Sequence, residues 1–112
     1  MKRTIYRYLL RAGLSPKYTG FRYALEAIEL YLKINYIAKF NDDIYSKVAE
    51  KYQVSSSSVI KGIKNALDSA LMRQSECEDF LYLLQNEKSG SIRVSEFIAH
   101  ASNFIRYENP VE

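Results

Sequence analysis

Apolar residues recur along this chain at helical spacing, not at the alternation of a strand. Ile5, Leu9 and Leu10 share the stripe of a first short helix, Gly13 supplies its C-cap, and Ser15-Pro16 reads as the cap and first-turn pair that opens the next. Phe21, Leu25, Ile28 and Leu32 then follow at i, i+4, i+7 and i+11, which puts four large apolar groups on one face and turns Arg22, Glu26, Glu29 and Lys33 away from it. Asn41 or Asp42 is expected to cap a third helix of two to three turns, with Ile44, Val48 and Tyr52 inward and Ala49 small enough for close packing. A long fourth helix is predicted from Ser55, its natural N-cap, with Val59, Ile63, Ala66, Leu67 and Ala70 on the buried face. The Ser-x-x-Glu box at Ser75 opens a short fifth helix with Phe80, Leu81, Leu83 and Leu84, followed by a loop over 86–91. A last helix starts near Val94 or Ser95, buries Phe97, Ile98, Ala101, Phe104 and Ile105, and stops before Pro110. The expectation is an all-α fold of six helices in a single domain over residues 1–112.

Composition agrees with that fold and narrows the chemistry. With 4 Gly and 2 Pro the chain lacks material for the many tight turns of a β-sandwich. At 112 residues it can bury roughly two-thirds of its unfolded surface around one core. A single cysteine, Cys77, forms no internal disulfide, and one Cys with one His assembles no metal site without recruiting carboxylates. The thiol is flanked by Glu76 and Glu78, whose charge opposes thiolate formation and disfavours a nucleophilic role. His100 has no Ser/His/Asp grouping and no phosphate-cradling glycine loop beside it, so neither an enzyme nor a cofactor is expected. The start, Met-Lys-Arg, is not followed by the apolar run of a signal peptide, and no stretch approaches a membrane span, so no membrane partner and a cytoplasmic location are expected. The ten tyrosines are scattered, as core-boundary residues are, and form no stacking repeat for single-stranded nucleic acid.

Charge is distributed unevenly. The formal net charge is only +3, yet residues 1–24 carry six cations and no anion, and through Arg73 there are 13 cations against 6 anions. From Gln74 onward 3 cations face 7 anions. The concentration of positive charge in the first two-thirds is the footprint of a polyanion-binding surface, although a solvated basic face gives the same count.

The segment from Val48 to Val59 decides between them. It has the grammar of a helix-turn-helix spanning about 44–71: Ala49 where two helices cross, Val48, Tyr52 and Val54 lining the wedge, a turn of about three residues, and Val59 plugging the second helix into the same core. Gln53 stands where such motifs commonly carry glycine at positive φ, so it must accept strain or a variant turn. With Val59, Ile63, Ala66 and Leu67 inward, the 100° step sends Ser57, Ile60, Lys61, Lys64, Asn65 and Asp68 outward. The candidate DNA-reading residues are therefore Ser56, Ser57, Ser58, Ile60, Lys61, Lys64 and Asn65. The serines bind phosphate or base edges at the helix start, the lysines reach guanine or phosphate, Asn65 pairs with adenine, and Ile60 contacts a thymine methyl. Two lysines and an asparagine on a helix face are ordinarily solvated surface; the motif preceding them reverses that weighting. Ile60 also suits a protein contact, which sets the alternative of an interaction module that pairs with a related regulator or RNA polymerase. Gly62 costs roughly 1 kcal/mol against alanine in mid-helix and implies close approach of another backbone, a helix or DNA.

Four blocks in order, Thr19 to Ile28, Val48 to Tyr52, Ile63 to Leu67 and Ser95 to Ala99, resemble the C-terminal effector domain of the sporulation response regulator, stage 0 sporulation protein A. The resemblance implies a six-helix domain that binds double-stranded DNA through its helix-turn-helix, often as tandem copies and hence as a homodimer on DNA, and that contacts RNA polymerase sigma factors from a neighbouring helix and loop. The family's recognition helix commonly carries arginine and glutamate at the positions of Ser58, Ile60 and Lys61, and further basic residues near Lys64 and Asn65. Only Lys61 and Lys64 keep the positive charge here, a departure that bears on the target sequence and leaves phosphate binding in place. The segment Ser75 to Ser91, where the sigma contact is expected, also diverges. No part of these 112 residues corresponds to the phosphorylated receiver domain that precedes the module in the family, so control of dimerisation by phosphorylation within them is not expected.

Overall fold

The computed structural model describes residues 2–34, 39–72 and 92–108. Among them are five α-helices and no strand: α1 Lys2–Arg11, α2 Thr19–Lys33, α3 Ser46–Tyr52, α4 Ser56–Met72 and α5 Val94–Glu108, with a π-helical segment Phe40–Tyr45 running directly into α3. The helix expected from Ser75, and with it Cys77, lies outside the described residues. None of the described helices is long and apolar enough to cross a membrane.

The first helix ends as its glycine predicts. Gly13 takes φ 99°, its N–H donates to the Leu10 carbonyl at 3.0 Å, and the Leu14 N–H reaches back to Leu9 at 3.0 Å. This is a Schellman turn, flanked by two buried leucines, Leu9 and Leu14. Leu10 falls on the other side of α1 and is exposed, contrary to its expected place on the apolar stripe. Ser15-Pro16 does not open α2 either. The Tyr18 N–H donates to the Ser15 carbonyl at 3.1 Å, so 15–18 form a turn, and α2 starts at Thr19 with Tyr18 at the cap position, where its side chain makes no capping hydrogen bond and its hydroxyl instead accepts from Ser69 at 3.4 Å.

Helix α2 is the hub, packing most extensively against α4 and then α5. Its contact face is not the leucine stripe read from periodicity. Gly20, Phe21, Tyr23, Ala24, Ala27 and Ile28 are buried, while Leu25 and Leu32 are only half-buried. The reason is steric: small residues let two helix axes approach closely, and the closest approach sets the phase. A Cβ built on Gly20 would overlap the carbonyl of Gly62 and lie 3.0 Å from the Ile63 nitrogen. The backbone that Gly62 admits is therefore that of α2. At its other end α2 is capped from α5, where the Arg106 guanidinium donates to the carbonyls of Tyr31 and Leu32 at 3.3 Å each and lies over the Tyr31 ring. That cation also complements the negative end of the helix.

The entry to α3 differs from the expected Asn41 or Asp42 cap. Lys39 is the cap residue, and its N–H donates to the Asp43 carboxylate at 2.8 Å. The Asn41 carbonyl then accepts both the N–H and the hydroxyl of Ser46, the latter at 2.7 Å, which holds the wider π turn at the junction with α3. Ile44, Val48 and Ala49 are buried as expected, and Tyr52 is half-buried with its ring edge on Tyr23 at 5.2 Å. The tyrosines elsewhere divide as boundary residues do: Tyr8, Tyr23 and Tyr45 are buried, Tyr18 and Tyr31 half-buried, Tyr6 and Tyr107 exposed. Helix α5 contributes Phe97, Ile98, Ala101 and Ile105 to the core, with Phe104 packed half-buried at its edge against Tyr8 at 5.4 Å.

Candidate nucleic-acid interface

Three residues, 53–55, join α3 to α4. The turn repeats the geometry at Gly13 with a less suitable residue. Gln53 sits at φ 56°, ψ 47°, its N–H donating to Glu50 at 3.3 Å, and the Val54 N–H returns to Ala49 at 3.0 Å. The strain foreseen at Gln53 is thus present as left-handed backbone, accepted because the Schellman turn fixes the angle between the helices. Val54, expected in the wedge between them, is instead exposed, because the turn ends before the chain regains the core.

Ser55 caps α4. Its Oγ accepts the Ser58 N–H at 3.1 Å and donates to the Ser58 hydroxyl at 3.0 Å, and its carbonyl accepts the Val59 N–H at 3.2 Å. The N–H groups of Ser56 and Ser57, in the first turn, have no intrahelical acceptor. From there Val59, Ile63, Ala66, Leu67 and Ala70 are fully buried, so the helical phase read from the sequence is the phase observed.

The remaining face carries the predicted reading residues. Ser57, Ser58, Lys61 and Asn65 are exposed, and Ser56 is half-buried. Lys64 is half-buried and pairs with Asp68 one turn on at 3.8 Å, a long exposed contact that holds it weakly. Ile60 does not project freely as expected. It is half-buried and packs against the core, because it lies on the border between the outer face and the Val59 and Ile63 ridge.

Ile60 also forms part of the floor of a groove of about 640 Å³ between α4 and the start of α5. Ser57, Lys61 and Lys64 line its α4 wall, Arg93 and Ser95 line the opposite wall, and Tyr45, Ile92 and Val94 complete the apolar floor. Burial pushes the Tyr45 hydroxyl up to about 12. Neither Arg93 nor Ser95 is marked by the local sequence; they join the site through the packing of α5, some thirty residues beyond Lys61. His100 is half-buried further along α5 and does not line the groove.

On the α3 side, the Lys51 ammonium binds the Glu26 carboxylate at 2.9 Å, and Lys2 reaches the same carboxylate at 3.5 Å. The hydrogen bond that Lys51 donates to the Glu26 carboxylate raises the lysine's pKa and commits this cation to α2.

Two comparisons bear on this arrangement. Residues 5–105 match the family described as sporulation initiation factor Spo0A C terminal. No curated protein matches the chain.

Proposed function

The chain belongs to the family of the sporulation initiation factor Spo0A C terminal, and on that premise we propose that it is a transcriptional regulator that binds double-stranded DNA sequence-specifically, with α4 in the major groove. The family is one of DNA-binding regulatory domains, not of catalysts. The observation that carries the finer reading is the Ser55-capped start of α4, which follows a three-residue turn from α3 and presents Ser57, Lys61 and Asn65 on one exposed face.

The roles divide by chemistry. Ser56, Ser57 and Ser58 meet phosphate or base edges at the helix start, where first-turn N–H groups and the helix dipole favour an anion. Lys61 and Lys64 supply phosphate or guanine contacts, and Asn65 offers the two-point match to adenine. Ile60, at the edge of the face, meets a thymine methyl. Its half-burial leaves little free apolar surface, which favours DNA over the alternative of a protein-interaction module. Binding as a homodimer on paired sites and contact with a sigma factor belong to the same proposal and rest on family membership.

Titration of duplex DNA at several salt concentrations tests it. Lys61→Ala combined with Lys64→Ala is expected to weaken binding and to lower the slope of log affinity against log salt by up to about two phosphates' worth. An unchanged affinity and slope in a folded double variant would remove this face from the interface.

A further inference from the structure

We propose that the groove between α4 and the start of α5 clamps a backbone phosphate of the bound DNA strand, with Arg93 and Ser95 as the second wall of the clamp. The inference rests on α4 being the DNA-contacting helix and adds to it a contact from a different part of the chain.

Lys61, Lys64 and Arg93 converge on one groove, and none of its described lining residues is a carboxylate. Among the described residues, Lys61 and Arg93 have no ion-pair partner, and only Lys64 shares its charge, with Asp68 at 3.8 Å. Like charges gathered around one cleft repel each other and are stabilised together by an anion between them. The guanidinium of Arg93 offers the forked donor geometry that binds two phosphate oxygens at once. Ser57 and Ser95 bring one hydroxyl to each wall. The Arg93 carbonyl accepts the Phe97 N–H at 3.0 Å, which makes Arg93 the residue preceding the first turn of α5 and adds the positive end of that helix to the same wall.

The α4 wall runs from Ser57 to Lys64, seven residues or about 10 Å of helix, longer than a single phosphate ion requires and suited to a strand. Its floor at Ile92 and Val94 is apolar, appropriate to deoxyribose between phosphates. Because the α4 wall belongs to the face proposed to meet DNA, a strand bordering the major groove reaches Arg93 without a second binding mode.

The test measures duplex affinity against salt for the full chain, Arg93→Ala, Arg93→Lys and Ser95→Ala, with circular dichroism as the folding control. Arg93→Ala is expected to weaken binding to all duplexes equally and to reduce the salt slope by about 0.9, one phosphate's worth. Arg93→Lys is expected to restore most of the slope, since it keeps the charge, and Ser95→Ala to lower affinity at an unchanged slope. An unaltered slope in Arg93→Ala, while the Lys61 and Lys64 substitutions still lower theirs, would overturn the clamp and leave the α4 reading standing. Absence of duplex binding by the unsubstituted chain would overturn both. Saturable shifts of the Ser57 and Ser95 amide signals by inorganic phosphate, with duplex binding indifferent to Arg93→Ala, would assign the groove to a free anion and also overturn the clamp.

Discussion

The contact between Gly20 and Gly62 makes an asymmetric prediction. In Gly20→Ala the new methyl would overlap the Gly62 carbonyl, which is backbone in the middle of α4 and has no side-chain rotamer to yield. Relief requires α2 and α4 to separate, and a gap of roughly 0.5–1 Å already forfeits a quarter to a half of each dispersion contact along the seam. Ala24 and Ala27 of α2 and Ile63 and Ala66 of α4 are all fully buried, and these two helices pack against each other more extensively than any other pair, so the loss is spread over many contacts. Overpacking costs typically 1–3 kcal/mol, and a clash against immovable backbone belongs at the upper end, about 3 kcal/mol. Gly62→Ala is different. Its methyl would sit 3.0 Å from Cδ2 of Tyr23, a side chain that can tilt, and 3.6 Å from the Gly20 Cα. The cost is offset by about 1 kcal/mol of helix propensity gained in mid-helix, which leaves the change near zero. Thermal and urea denaturation of both variants reads the difference: a fall of roughly 12 °C in Tm for Gly20→Ala and a shift within about 4 °C for Gly62→Ala. Equal effects of the two substitutions, or a tolerated Gly20→Ala, would refute the close crossing of α2 and α4.

Two further predictions follow from single residues. Gln53→Gly replaces a residue held at φ 56° with one that adopts it freely, and is expected to raise stability by about 1 kcal/mol, seen as a Tm increase, because left-handed backbone costs a non-glycine residue roughly 1–2 kcal/mol, partly offset by glycine's greater unfolded entropy. A lowered Tm would show that the Gln53 side chain stabilises the turn in another way. Tyr45 ionises near 12 in the folded chain and near 10 when unfolded, so between those values the native state holds the proton longer; the stability this contributes is intact below pH 10 and is lost as pH rises toward 12. Ultraviolet titration should show a late tyrosine component that Tyr45→Phe removes, and its persistence in that variant would refute the assignment.

The fold was legible where large side chains repeat at helical period. The buried face of α4, from Val59 to Ala70, the Ser55 cap and the positive φ at Gln53 could all be read from residue type and spacing, because each depends on interactions within a few residues. The face of α2 was not legible in the same way. Hydrophobic periodicity weights leucine, whereas Gly20, Ala24 and Ala27 pack by being small, and only the partner helix shows which phase they select. Val54 and Leu10 were misplaced for a related reason: each is apolar and adjacent to a turn, where one residue of drift moves a side chain from core to solvent. At the candidate interface the α4 residues were identified from one helix's own pattern. Arg93 and Ser95 were missed, since their place opposite Lys61 comes from tertiary packing that leaves no local mark.

Sequence reading by α4 is measured by selecting duplexes bound by the unsubstituted chain from a random pool, with the Lys61→Ala, Asn65→Ala variant alongside. The unsubstituted chain is expected to enrich a defined sequence, with the variant losing preference at positions within that sequence while still retaining salt-sensitive binding. Recovery of an unenriched pool by the chain, or of the same sequence with the same preference by the variant, would contradict α4 as the reading helix.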